Sequence, residues 1–155
     1  MMHTLNLPEF APQVRNNSNG KKEIFDPFRK KFVRLTPEEW VRQHFLNLMV
    51  TRLGFPASLI VVEASLTVNR MARRFDILAY TSDGNPCLVV ECKAPSKKIS
   101  QDVFDQVAMY NMKLRVNYLV VTNGLAHYAC HIDHGSSTYA FLKDLPTYES
   151  MNHKL

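Results

Sequence analysis

Two continuous apolar runs, Ile77-Leu78-Ala79 and Leu88-Val89-Val90, flank the segment Thr81-Ser82-Asp83-Gly84-Asn85-Pro86. This arrangement constrains the fold more than any other stretch of the chain. A strand that is apolar at every position is covered on both faces. The link between the runs is rich in Asp, Gly, Asn and Pro, the chemistry of a tight reversal. The pair therefore predicts an antiparallel hairpin covered on both faces, inside a layered domain.

The rest of the chain supplies those layers. Thr36 and Pro37 open a helix as N-cap and first helical residue, and Glu39 completes a Thr-x-x-Glu capping box. Val41, Phe45, Leu48 and Arg52 share one stripe, and Gly54 and Pro56 stop the helix. Strands are expected over 59–68, 75–80 and 87–93. A second helix is expected over 100–115, a buried strand over 118–122, and a last hairpin from 128–133 and 139–142. Two short strands around Asp26-Pro27-Phe28-Arg29-Lys30 form a hairpin ahead of this core. The sequence thus predicts an α/β fold, an αβββαβ core around a mixed sheet with an N-terminal hairpin and extra C-terminal strands. Residues 1–21 are expected to be a flexible lead, 22–145 the domain, and 146–155 a tail.

Composition narrows the class of partner. The 155 residues carry a net charge of +5. Residues 1–75 hold twelve basic and six acidic residues, a net of +6, whereas residues 76–155 hold seven and eight, a net of −1. A basic half beside a neutral one suits a polyanionic partner, with a merely solvated basic surface as the alternative. The longest clean apolar run, Leu59–Val62, is far short of the ~20 residues of a membrane-spanning helix. Residues 1–10 show no secretory pattern. Cys87, Cys92 and Cys130 are an odd number and read as reduced thiols, which implies a cytoplasmic setting.

The residues that carry chemistry are Asp76 and the run Glu91-Cys92-Lys93. Alternation puts Glu91 and Lys93 on one side of their strand and Val90 and Cys92 on the other. Antiparallel pairing brings Asp76, near the start of one strand, to Glu91, near the end of the next. Two convergent carboxylates with the Cys92 backbone carbonyl make a hard oxygen set suited to Mg²⁺. A neighbouring lysine is the group needed to orient or deprotonate water in phosphodiester hydrolysis. The competing reading is a solvated Glu-x-Lys edge with a weak cross-strand pair. Arg70, Arg73, Arg74, Lys97 and Lys98 flank the motif and can hold phosphates. A zinc site among His127, Cys130, His131 and His134 is a weaker candidate, because alternation turns Cys130 away from the histidines.

The pattern Asp76…Glu91-Cys92-Lys93, followed by Gln106-x-x-x-Tyr110, resembles the PD-(D/E)xK, or restriction-endonuclease-like, nucleases. Thr36-Pro37-Glu38-Glu39-Trp40, Arg74-Phe75-Asp76-Ile77, Val89–Pro95, Phe104-Asp105-Gln106 and Val121-Thr122-Asn123-Gly124 look like a stand-alone bacterial version of one branch. That branch is the N-terminal nuclease domain of type I restriction enzyme R subunits. The resemblance implies a Mg²⁺-dependent DNA endonuclease, with Mn²⁺ as a substitute metal. It implies Asp76 and Glu91 as metal ligands, Lys93 as the catalytic lysine, and Gln106 and Tyr110 on a helix face over the site. The family also carries an acidic residue on the first helix, here Glu38 or Glu39. Glu38 is favoured because its spacing to Val41 and Phe45 puts it on the inward stripe, while Glu39 caps. Phe75 stands where the family usually has Pro. Expected partners are DNA, a second copy of the chain, and a protein supplying recognition or motor function. The alternative is a nucleic-acid- or partner-binding module that keeps the fold without useful catalysis.

Overall fold

The computed structural model describes residues 2–68 and 70–151, and the side chains of Val68, Met71 and Tyr110 lie outside that description. A three-stranded antiparallel sheet comes first, made of β1 (Val14–Asn16), β2 (Lys22–Asp26) and β3 (Lys31–Arg34). Helix α1 (Pro37–Thr51) follows, then a 3-10 turn at Ala57–Leu59. The main sheet holds β4 (Ile60–Val68), β5 (Met71–Tyr80), β6 (Pro86–Cys92), β7 (Tyr118–Thr122), β8 (His127–Asp133) and β9 (Thr138–Phe141), side by side in that order. All neighbours are antiparallel except β6 and β7. A parallel pair needs a crossover, and α2 (Gln101–Met112) provides it. A one-turn helix, α3 (Tyr148–Met151), ends the described chain.

The sheet is covered on both faces, as its uninterrupted apolar runs require. On one face Val41, Phe45 and Met49 of α1 pack with Ile77, Ala79, Leu88, Val90 and Cys92. On the other, Phe104 and Ala108 of α2 pack with Leu78, Val89, Leu119, Val121 and Cys130. Each large apolar side chain buried in this way contributes about 1.5–3 kcal/mol. The three cysteines are buried, unpaired members of these layers. Among the described residues no helix is long and apolar enough to cross a membrane.

Local sequence sets the helix starts. Thr36 Oγ1 accepts the Glu39 N–H at 3.0 Å, and Ser100 Oγ accepts the Val103 N–H at 3.2 Å. Only half of the expected capping box forms, because the Glu39 carboxylate is drawn to Arg29 (2.7 Å) and Gln43 (3.1 Å). α2 ends at Met112, three residues before the expected limit, with Lys113 as its C-cap. Arg52, expected on the apolar stripe of α1, is its exposed C-cap.

The N-terminal lead departs from the expectation of a flexible segment. Residues 14–16 add a third strand to the hairpin. The Trp40 indole donates to the His3 carbonyl at 2.9 Å, and the Asn6 N–H donates to the Gly124 carbonyl at 2.8 Å. His127 Nε2 lies 2.9 Å from the Asn6 carbonyl oxygen. These are backbone groups meeting one another, an indole and an imidazole, so hydropathy patterning does not reveal them. The tail is also anchored in part, since the Tyr148 N–H donates to the Leu53 carbonyl at 2.9 Å.

Gly124 sits where this lead meets the β7–β8 turn. Its φ is +85°, and a Cβ there would lie 2.7 Å from Leu5 Cδ2 and 3.0 Å from Val41 Cγ2. Gly124→Ala is therefore expected to lower stability by more than about 1 kcal/mol, read as a lower urea midpoint at unchanged slope. An unchanged midpoint would mean that the lead does not press on this turn.

Candidate active site

The β5–β6 register pairs Ile77 with Val90, so Asp76 and Glu91 meet at the next step, at the C-terminal end of β6. The Asp76 carboxylate leaves the plane of regular pairing. Its Oδ2 accepts the Cys92 N–H at 2.7 Å, and its Oδ1 lies 3.5 Å from Arg42 Nη2 of α1. Lys93 Nζ lies 4.0 Å from Glu91 Oε2. Val90 and Cys92 point into the core, as alternation requires, and burial pushes the Cys92 thiol well above its ordinary value.

Glu91 has the most altered carboxyl of the group. Burial, then the charge of Asp76, pushes its pKa up to about 7 against the pull of Lys93. The Glu38 carboxyl is raised too, first by burial and then by Asp76, with Arg42 and Lys93 opposing. Three acidic side chains thus feel one another across a crevice bounded by α1, β5 and β6. Glu38 belongs to this group by its electrostatics, although the reason for favouring it needs correction. Its side chain is 47% exposed, whereas Glu39 is the buried one at 6%. The helix phase turns Glu39, not Glu38, inward, where it meets Arg29, Arg42 and Gln43.

Behind the carboxylates lies a network that the sequence motifs did not disclose. Arg42 is 5% exposed and places its guanidinium 3.3 Å from Glu63, 3.5 Å from Asp76, 3.6 Å from Glu39 and 3.9 Å from Glu38. Arg29 pairs with Asp26, Glu39 and Glu63 and ties the β2–β3 turn to the same cluster. Burial raises the Glu63 carboxyl, but Arg29, Arg42 and Arg74 outweigh it and hold the carboxyl below its usual range. The available signal was a lone acid inside the apolar run Ile60-Val61-Val62-Glu63-Ala64.

The other expected site residues lie on α2, on the β4–β5 hairpin and on the loop after β6. Gln106 is exposed on α2, and Tyr110 is on the same helix with its side chain outside the described residues. Arg70, Lys97 and Lys98 are exposed. Arg74 is exposed and pairs with Glu63 at 2.7 Å. Arg73 departs from its expected role as a phosphate contact, since it is only 8% exposed on the strand side opposite to Arg74. Among the described residues no three His, Cys, Asp or Glu side chains form a ready metal cluster. The weak zinc candidate fails on geometry: His127 is held by Thr122 at 2.7 Å, and His134 contacts the Met112 and Val116 carbonyls.

The family model described as Type I restriction enzyme R protein N terminus matches residues 37–146. A solved fragment assigned to the HsdR subunit of a type I restriction enzyme from Vibrio vulnificus YJ016 has a similar fold, with a TM-score of 0.54 and 22% identity over 76% of this chain. The match covers 24% of that longer protein, so this chain spans about a quarter of its length. No curated protein matches the chain.

The raised Glu91 carboxyl gives a signed pH dependence in metal-free protein. Between about pH 4.5 and 7 the unfolded chain ionises this group while the folded chain keeps its proton. Stability therefore falls as pH rises through that window and levels off above it. Glu91→Gln removes the penalty. In EDTA the variant is expected to be more stable than wild type by roughly 1–3 kcal/mol at pH 8 and equal to it near pH 4.5, measured by urea unfolding. A gap that does not change with pH would mean that burial and the Asp76 charge do not raise the Glu91 carboxyl.

Proposed function

The chain belongs to the type I restriction enzyme R protein N-terminal family, and from that premise we propose that its acidic crevice is the active site of a metal-dependent DNA endonuclease of the PD-(D/E)xK type. The observation that carries this reading is the forced proximity of Asp76 and Glu91, with a carboxyl pushed up to about 7 beside a lysine ammonium. Such a pair is short of positive charge, and perturbed carboxyls of this kind cluster at functional sites.

The donor set fits Mg²⁺ or Mn²⁺. Two carboxylates and the Cys92 backbone carbonyl are hard oxygen ligands, and Mg²⁺ ordinarily keeps several waters beside one or two carboxylates. Bound there, the ion supplies Lewis-acid stabilisation of the charge that develops on the phosphate. The protein's own residues do the rest. The Cys92 amide fixes one Asp76 oxygen. The Lys93 ammonium, beside Glu91, donates to a phosphate oxygen or to the attacking water. Glu38, on the α1 side of the crevice, holds a proton more readily than a free glutamate and lies where that water's proton can be passed on. Gln106 and Tyr110, both on α2, are the further catalytic residues of this reading. Arg70, Arg74, Lys97 and Lys98 hold the DNA backbone through charge that salt screens. Cutting both strands of a duplex takes a second active site, from a second copy of the chain, or a partner bringing recognition or motor function.

One observation favours the alternative of a binding module without turnover. Arg42 already stands 3.5 Å from Asp76 and supplies part of the positive charge that a metal would bring. Metal-dependent melting separates the two readings. Mg²⁺ or Mn²⁺ at 100 times its dissociation constant stabilises the fold by ~2.7 kcal/mol, a rise of several degrees in Tm. The shift is expected in wild type and in Lys93→Ala, and should vanish in Asp76→Asn, which keeps an acceptor for the Cys92 N–H but removes the charge. No shift in wild type would favour the binding module.

A further inference from the structure

An aromatic pocket opens on the α2 side of the sheet. It has a volume of about 280 Å³ and is lined by Ile99, Ser100, Gln101, Phe104, Tyr128 and Phe141. Tyr128 is 41% and Phe141 49% exposed, high values for large rings on a sheet face. Both rest on Phe104, at ring-centroid distances of 6.5 Å and 4.7 Å. Phe104 is buried, and the Asp105 carboxylate accepts the Tyr139 hydroxyl, so the wall of the pocket is fixed.

Register ties this pocket to the crevice. Glu91 pairs with Val121 across β6–β7, and Val121 pairs with Tyr128 across β7–β8. Residues directly opposite in a ladder point to the same face, so Glu91 and Tyr128 project from one side of the sheet. Two strand spacings separate them, about 10 Å. The loop carrying exposed Lys97 and Lys98 is fastened beside the pocket, where Asn123 Nδ2 donates to the Lys97 carbonyl at 2.8 Å. Exposed aromatic faces next to a basic loop are the ingredients of a single-strand stacking platform. A fully paired duplex offers no free base face to such rings.

We propose that this pocket is a base-stacking subsite that takes an unpaired nucleobase of the DNA strand lying in the crevice, so that the protein selects single-stranded or frayed DNA over blunt duplex. The proposal rests on the nuclease reading for its substrate, but stacking is tested without hydrolysis. Exposed Lys97 and Lys98, immediately before the lining residue Ile99, bring charge that favours a phosphate-bearing ligand over an apolar peptide. Ser100 Oγ caps α2 and Gln101 Nε2 donates to Asp105, so it is the Ser100 hydroxyl proton and the Gln101 amide oxygen that suit the polar edge of a base.

The test is fluorescence anisotropy in EDTA with the full chain, using one labelled oligonucleotide single-stranded and as a blunt duplex. Tyr128→Ala is expected to weaken single-strand binding by at least about fivefold and leave duplex binding within about twofold. Tyr128→Trp should restore the affinity, and single-stranded DNA should quench the new indole, with wild type supplying the Trp40 background. Duplex binding and melting temperature control for folding. An equal loss on both DNAs, no loss, or no quenching overturns the proposal, as does a failure of wild type to bind DNA. Quenching by single strands without any cleavage in Mg²⁺ keeps the subsite and removes the hydrolytic reading. Cleavage of both DNAs, unaltered in Tyr128→Ala, removes the subsite and keeps the hydrolytic reading.

Discussion

The Arg42 guanidinium is the point on which the crevice depends. It is buried against four carboxylates, on Glu38, Glu39, Glu63 and Asp76, at 3.3–3.9 Å. None of these contacts has the short, bidentate form of the strongest arginine pairs. They act together as one central cation that lets acids from α1, β4 and β5 lie close. A buried pair is weak evidence for stability, because desolvation opposes the attraction. Its value here is positional. Arg29 extends the same network to the β2–β3 turn, so the small N-terminal sheet braces the crevice.

The backbone cooperates with that charge. Glu63 has φ +52°, and regular pairing skips it between Val62–Ile77 and Ala64–Phe75. On the other side of β5, regular pairing with β6 runs only to Ile77–Val90. A glutamate in the left-handed region is uncommon and strained, and such strain persists where surrounding contacts fix it. Asp76 therefore lies where the ladder is open on both sides. Its carboxylate can turn to the Cys92 amide and to Arg42 while still confronting Glu91. An unbroken ladder would have left it a cross-strand surface acid.

The central hairpin, both helices and the mixed character of the sheet were legible because apolar runs, caps and turn residues agreed on them. The convergence of Asp76 and Glu91 was legible for the same reason, since register follows from a six-residue link between two buried strands. The ion network was not, because its members are scattered from residue 26 to residue 76 and no short spacing joins them. Glu38 and Glu39 were read in the wrong phase: apolar spacing assigns a stripe, but a buried arginine turned the adjacent acid inward. Arg73 misled in the same way, because a run of basic residues on a strand must alternate between solvent and sheet. The aromatic pocket was also missed. Tyr128 and Phe141 come together only through the β8–β9 register and the docking of α2, neither of which leaves a local mark in the sequence.

Carboxylates confined beside a lysine, in a chain of this family, amount to a hydrolytic site only if that lysine does chemistry. Single-turnover hydrolysis of an end-labelled oligonucleotide, both single-stranded and as a duplex, in Mg²⁺ or Mn²⁺, compared between wild type and Lys93→Ala, measures this directly. Wild type should cleave only with metal present, and Lys93→Ala should slow the chemical step by at least ~100-fold while still binding the oligonucleotide. A wild-type protein that binds DNA and metal yet leaves both forms intact would contradict the nuclease assignment, as would cleavage undiminished by Lys93→Ala.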